Sequence, residues 1–460
     1  MSLFGLLNTG STGLAAQGFG LAVTAQNAQN AGTDGYSRRD VRMVPLPPPP
    51  DGGGGVRATG SRRIVDRYLE QRLLGATSAR AGAQSRADAL AVLDSVLSEA
   101  EGSVGSALDD LEVAFAQLSA RPADLGVRQS VLTAAERLGR AFDSASTQLI
   151  AQRDELDGRA RDEVAGLNDR LARIGALGAQ IAAAEVNGSE ASDLRDQRDQ
   201  LVREVAEQIP VTRIDQPDGR LTLLMGASAS LVTPDGRSTP LRAEPDAGTG
   251  RVRLVRTAAG VDQDVTALAT SGRIGGVLAA RDGALQSVLE GLDQLAYDTA
   301  GAYDAAHAAG YGQDGTMGRA LFAPLASASG AASALALSGT MEGHPELLAA
   351  SSDPTLPGDN RNALSLGSLA DSPISGGRTA QAVLGSLIAS AGNAVQSAVR
   401  ETELAGASEA QLRATRESIS GVSMDEEMIA LSRYQRGYQA SLKVVQAADQ
   451  MLQELLQMKR

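Results

Sequence analysis

The chain has 460 residues, a length that suggests roughly three domains of about 150 residues each. Its 42 basic residues, only two of them lysines (Lys443 and Lys459), face 55 acidic ones for a net charge of −13, so it lacks the basic face needed to coat nucleic acid or an anionic membrane. There is no cysteine, which excludes disulfides, thiolate metal sites and cysteine nucleophiles, and few aromatics without tryptophan point to thin helix layers packed from Ala, Leu and Val.

The first stretch, Met1 to Thr33, is uncharged but diluted by Asn8, Gln17, Asn27 and several glycines. Neither it nor the second uncharged stretch, Ala320 to Met341, is expected to be a signal peptide or a membrane span. Leu7, Leu14, Leu21 and Ala28 recur at sevens and predict a helix with a narrow apolar stripe. Gly32 to Gly35 breaks that pattern, and the proline- and glycine-rich run from Pro45 to Gly55 reads as a plain loop. From Ile64 to Ile209 the pattern is mostly helical. Val164, Leu167, Leu171, Ile174, Leu177 and Ile181 keep a near-heptad step, Asn187-Gly188 ends it, and Leu194, Leu201 and Val205 resume it before Pro210. Between Pro210 and Ser271 the runs Val211–Ile214, Leu221–Leu224 and Arg251–Arg256 predict short strands. Pro217-Asp218-Gly219 and Pro234-Asp235-Gly236 supply turns in which glycine takes a positive φ without steric cost. Helical patterning returns from Arg273 to His307 and again from Thr379 to the end. There Met428, Leu431, Tyr434, Tyr438, Leu442, Val445, Ala448, Leu452 and Leu455 form a long stripe stepping by threes and fours. Each terminal helix thus has a face without a partner next to it in sequence. They are either ordinary core helices or, in the sharper reading, pair with each other or with neighbouring subunits and are disordered in the free monomer.

Searches for chemistry return nothing. No lysine precedes Lys443 to complete a phosphate-binding loop, and no G-x-S-x-G or H-E-x-x-H occurs. His307 and His344 have no second imidazole at ligand spacing and read as lone surface or loop histidines. Asp425, Glu426 and Glu427 suit the positive end of the last helix. The alternating charges of Asp193 to Leu201 read as ion pairs within and between helices. No enzyme, cofactor or metal is expected.

Several segments resemble known proteins. Gly13-Leu14, Ala15-Ala16-Gln17, Ala25-Gln26-Asn27 and Gly35-Tyr36-Ser37-Arg38 resemble the opening motif of bacterial flagellar axial proteins, with Gln26-Asn27-Ala28-Gln29-Asn30 where that motif carries a run of asparagines. Gly55-Val56 with Gly60, Arg63, Asp66 and Tyr68-Leu69, then Asp193–Leu201, Gly272–Asp282, Pro357–Asn360 and Gly421–Met428, resemble in order the hook-associated protein 1 family, the hook–filament junction proteins. The resemblance implies a mainly α fold. Both chain halves build a long antiparallel helical bundle, the terminal helices form a coiled-coil-like inner layer, and one small β domain is inserted. It divides the chain into a terminal helical assembly domain (1–55 with 420–460), a discontinuous helical bundle (56–209 with 273–419) and a β insertion (210–272), with the family's larger outer domains trimmed. It implies export through the flagellar type III apparatus and extracellular localisation at the hook–filament junction after a transient cytoplasmic stage. It also implies a ring of copies, with the hook protein and hook-associated protein 3 as neighbours and an export chaperone on the C-terminal helix. The interface residues would be the two stripes already named. A cytosolic coiled-coil adaptor would leave the inserted β segment unexplained, and a hydrolase carried on a flagellar scaffold would need a larger insertion with catalytic residues.

Overall fold

The computed structural model describes residues 2–47, 54–96, 102–226, 228–258, 260–356 and 358–458. The centre of the expected 45–55 loop, Pro357 and Lys459 lie outside them. The protein is mainly helical, with long helices and small antiparallel sheets, and divides into two compact units.

The first unit holds residues 1–82, 162–274 and 403–460. Helix α1 (Leu3–Gln29) opens with Ser2 as its cap, the hydroxyl accepting the Gly5 N–H at 3.1 Å. Strands β1 (Arg39–Leu46) and β2 (Gly55–Arg63) follow as an antiparallel hairpin. This corrects the edges of the plain loop expected from Pro45 to Gly55, since Pro45 pairs with Val56 and Leu46 with Gly55. A two-stranded ribbon has only edge strands, where a proline can sit with its missing N–H turned away from the ladder. Helix α2 (Arg67–Leu90) begins in this unit.

The later part of α5 (Leu125–Ala184) packs antiparallel on α6 (Ser192–Gln208). Gln208 donates to the Glu163 carbonyl at 3.0 Å, Arg170 to Glu204 at 3.0 Å and Arg195 to Glu185 at 2.6 Å, while Leu167, Leu171, Ile174 and Ile181 of α5 and Leu201, Val202 and Val205 of α6 are all buried. Leu177 is only half-buried. Two three-stranded sheets follow, β3 (Val211–Asp215), β4 (Leu221–Met225) and β5 (Ala229–Val232), then β6 (Leu241–Pro245), β7 (Val252–Ala258) and β8 (Val261–Asp264). The two expected turns are present, with Gly219 at φ 86° and Gly236 at φ 85°. Asn168 of α5 binds the Leu241 N–H and carbonyl at 2.9 and 2.8 Å, holding β6 to the helix as a neighbouring strand would. The segment leaves and returns at one point, for a Cβ on Gly272 would lie 2.4 Å from the Gln208 carbonyl.

The second unit holds residues 83–161 and 275–402: α3 (Val92–Val96), α4 (Val104–Ala120), the first part of α5, most of α7 (Gly272–Ala280), a π-turn at Arg281–Leu285, α8 (Gln286–Ala308), α9 (Ala331–Ala334), α10 (Arg361–Gly367) and the opening of α11 (Ala380–Ser420). Tyr303 stacks on Phe115 at 5.5 Å and meets Phe322 edge-on at 6.4 Å. Within the helical pair α11 and α12 (Met424–Met458) an 18-residue window is long and apolar enough, by composition alone, to cross a membrane, and only 22% of it is buried. The sequence reading did not single it out. The charge-free opening of α11, residues 379–399, is rich in Ala, Ser and Gly and carries Asn393 and Gln396.

His307 is not a surface residue. It is fully buried on α8, its Nδ1 bonded to the Arg319 carbonyl at 2.7 Å and its Nε2 accepting the Ala349 N–H at 2.9 Å. That fixes the neutral tautomer with the proton on Nδ1. Burial, with Arg319 and Arg128 nearby, holds its pKa below the ordinary 6.5. Arg128 is itself buried, donates to the Pro122 and Leu348 carbonyls, and is pushed down to about 10 by burial. A histidine with a depressed folded-state pKa stabilises the fold above its unfolded pKa and loses that contribution as pH falls, because the unfolded chain then binds more protons. Unit 2 should therefore melt at progressively lower temperature as pH falls from about 7.5 to about 5. His307→Gln should cost about 1–3 kcal/mol at neutral pH and flatten that slope, as followed by calorimetry.

Candidate assembly interface at the paired termini

Helices α1 and α12 pack against each other in the same chain. Each thus supplies the partner the other lacks in adjacent sequence: of the two pairings the sequence left open, the termini pair with each other within one chain. The contacts run in order. A Cβ added at Gly10 would lie 2.7 Å from Val445, at Gly13 2.8 Å from Ser441 and at Gly20 2.5 Å from Tyr434, while one at Gly437 would lie 2.8 Å from Gln17. As the α1 positions climb from 10 to 20 their partners fall from 445 to 434, so the helices are antiparallel in a single register. The buried face of α1 is Gly5, Gly10, Gly13, Ala16, Gly20, Val23, Thr24 and Asn27. Missing side chains let the axes approach, and Tyr434 and Ala448 of α12 are buried in return.

The predicted stripes coincide with this seam only in part. Leu7, Leu14, Leu21 and Ala28 are all half-buried, on the flank of α1 rather than in the seam. On α12, Tyr434 is in the seam and Val445 touches Gly10. Leu431 and Leu452 are half-buried, and Met428, Tyr438, Leu442 and Leu455 are exposed. The pair therefore keeps an apolar flank facing outward. The signal for the seam was in the sequence, as glycines at 10, 13 and 20, but a search for large apolar residues passes over it.

One end of the seam closes on a polar node that joins segments quoted from both termini. Asn27 and Glu427 are each 2% exposed. The Asn27 amide donates to Glu427 Oε2 at 3.1 Å and to the Arg39 carbonyl at 2.9 Å, and its oxygen accepts the Arg39 N–H at 3.0 Å and the Tyr36 hydroxyl at 2.8 Å. Burial pushes the Tyr36 hydroxyl up to about 12, so it remains a donor. Arg38 completes the node, donating to Glu427 at 2.7 Å and to Glu426 at 2.5 Å, while its N–H reaches the Ser420 carbonyl at 2.9 Å. Burial opposes the Arg38 charge, but the two glutamates outweigh it and hold its pKa above the ordinary value.

From the node the connection runs into α6. Arg39, stacked 5.0 Å over the Tyr36 ring, bonds Asp193 at 2.6 Å and Asp196 at 3.2 Å. Arg63 of β2 bonds Glu190 at 3.0 Å, Asp196 at 2.8 Å and Asp199 at 2.9 Å, and Arg213 of β3 bonds Asp199 at 2.8 Å. Burial would raise the Asp199 pKa, yet Arg213, Arg63 and Arg198 hold it well below the usual carboxylate range. The alternating charges of Asp193–Leu201 are thus mostly interhelical and helix-to-strand ties. Among the described residues no group of His, Asp and Glu is arranged to hold a metal.

Asn27→Ala would strip partners from Glu427, Tyr36 and the Arg39 backbone. With about 1–3 kcal/mol for each group left buried and unbonded, amide exchange across Arg39 and the first turns of α12 should accelerate at least tenfold, while amides of the second unit stay unchanged.

Comparison with known proteins gives a consistent result. The family model of the flagellar hook-associated protein FlgK helical domain matches residues 90–322, just over half of the chain, and that of the flagellar basal body rod FlgEFG protein C-terminal region matches residues 415–458. Flagellar hook-associated protein 1 of Salmonella typhimurium (strain LT2) is 29% identical over 327 residues, 69% of this chain, and the chain spans 59% of that relative's length. Its namesake from Bacillus subtilis (strain 168) is 25% identical over 500 residues, 99% of this chain and 98% of its own. The solved structure of the flagellar hook junction protein FlgK from Burkholderia pseudomallei matches with a TM-score of 0.69 at 16% identity, covering 76% of this chain and 100% of that one, which shows a shared fold.

Proposed function

Because the chain belongs to the family of the flagellar hook-associated protein FlgK, we propose that it is a structural subunit of the junction between flagellar hook and filament. It leaves the cell unfolded through the flagellar type III apparatus, forms a ring of copies, and seats between the hook protein and hook-associated protein 3, so that filament assembly and motility depend on it. It carries out no catalysis and acts outside the cell, without nucleic acid and without membrane insertion. The absence of cysteine suits passage through a narrow channel, since no crosslink can form on the way.

The reading rests on one observation. The antiparallel terminal pair is closed on itself through a small-residue seam yet leaves Met428, Leu442, Met451 and Leu455 exposed. Apolar side chains along a helix already satisfied on its other face mark an interaction surface. Before export the same surface needs cover, and a helix-in-groove chaperone supplies it. In this reading residues 1–55 with 420–460 form the assembly domain, 56–209 with 273–419 the helical bundle, and 210–272 an outer insertion. The close approach of Gly272 to Gln208 supports that division, because the segment can depart and return without disturbing the helices.

Deleting the gene should leave hooks without filaments and cells without motility, both restored by the intact chain. Leu442→Asp with Leu455→Asp, which spares the seam, should keep the terminal pair folded but remove about 3–6 kcal/mol of chaperone binding, at least a hundredfold in Kd by titration calorimetry. Filaments on the deletion strain, or unchanged chaperone affinity in the double variant, would count against the reading.

A further inference from the structure

At the foot of the hairpin the first unit carries an open cleft of about 980 Å³, bounded by the end of β2, the start of α2, the end of α5 and the β3–β4 turn. Its five acids are already taken: Glu185 by Arg195 at 2.6 Å, Glu190 by Arg63 at 3.0 Å, Asp215 by Arg213 at 2.8 Å, Glu70 by Arg416 at 2.7 Å and Asp218 by Arg220 at 3.4 Å. Two guanidiniums at the rim are left over. Arg62 is exposed, and Arg67, its side chain 78% exposed, stands 3.5 Å from an Asp215 that Arg213 holds more closely. Beside them Val186 is 80% exposed. As many acids as arginines line the cleft, so its positive charge is confined to the rim at Arg62 and Arg67, beside an apolar edge.

The same chain presents the complement. The first turns of α12 bury Glu427 in the node but leave Asp425 exposed among Met424, Met428 and Ile429, all large apolar side chains facing outward. We propose that the cleft of one copy receives the opening turns of α12 from a second copy, with Asp425 against Arg62 and Arg67 and the methionines against Val186. The inference rests on the self-assembly proposed above and adds which surfaces meet. A contact between two different surfaces repeats from copy to copy, and so closes a ring or continues a helix rather than stopping at a dimer.

The natural chain has no cysteine, so placed ones report cleanly. Chains carrying Val186→Cys are mixed with chains carrying Met424→Cys, assembled, fractionated by sedimentation and oxidised. The contact predicts a mixed dimer in the assembled fraction at several times the yield from either variant alone, and none in the monomer fraction. A second arm reverses charge: Arg62→Glu with Arg67→Glu, and separately Asp425→Arg, should each abolish the fast-sedimenting species, and the three changes together should restore it. Assembly without the mixed crosslink, or unimpaired assembly of the Arg62→Glu, Arg67→Glu variant, overturns this contact alone. A wild-type chain that never sediments as an assembly overturns both it and the self-assembly reading.

Discussion

Two helices from opposite ends of a chain can approach closely only where side chains are absent, and the seam between α1 and α12 depends on that constraint. At Gly10, Gly13 and Gly20 the α12 side chains occupy the space a Cβ would need. Glycine inside a helix costs about 1 kcal/mol relative to alanine, so α1 is a poor helix in isolation. Its stability comes from the partner, and formation of the helix and of the pair are one event. That coupling suits the unfolded export and rigid assembly proposed for this chain.

Apolar contact alone would tolerate sliding by a turn, since small residues recur along α1. The node at Asn27 and Glu427 removes that freedom. In the observed register every polar atom of the Asn27 amide has a partner, and a one-turn slip would leave buried donors and acceptors unpaired. Arg39 then carries the constraint outward, its backbone held by Asn27 and its guanidinium by Asp193 and Asp196. Such buried ion pairs add little net stability, because desolvating the charges offsets most of their attraction. Their effect here is to fix where the hairpin and the terminal pair lie against α6.

Much of this was legible from residue order. The heptad of α5, the turns at Gly219 and Gly236 and the return of helix after Ser271 follow from periodicity and turn chemistry, and the structure reproduces them. The β1–β2 hairpin was hidden by prolines and glycines that are tolerable only because both strands are edges. His307 was misplaced because a lone histidine gives no sign of whether two backbone partners await it. The node was present only as two separate resemblances, and nothing in sequence says that residues 400 positions apart are hydrogen-bonded. The seam was missed for a physical reason: hydrophobic periodicity ranks Leu7, Leu14 and Leu21 above the glycines, while close packing ranks them the other way.

The seam can be tested directly in the monomer. The ideal Cβ of Gly13 lies 3.4 Å from the Cβ of Ser441, near the roughly 3.5–4.5 Å span of a disulfide. Gly13→Cys with Ser441→Cys, in a chain otherwise free of cysteine, should oxidise rapidly at high dilution to a single intramolecular species of faster electrophoretic mobility. A control pairing Gly13→Cys with Ala440→Cys, one position out of register, should oxidise far more slowly. Equal rates for both pairs, or crosslinks only between chains, would mean that the termini do not pair as described.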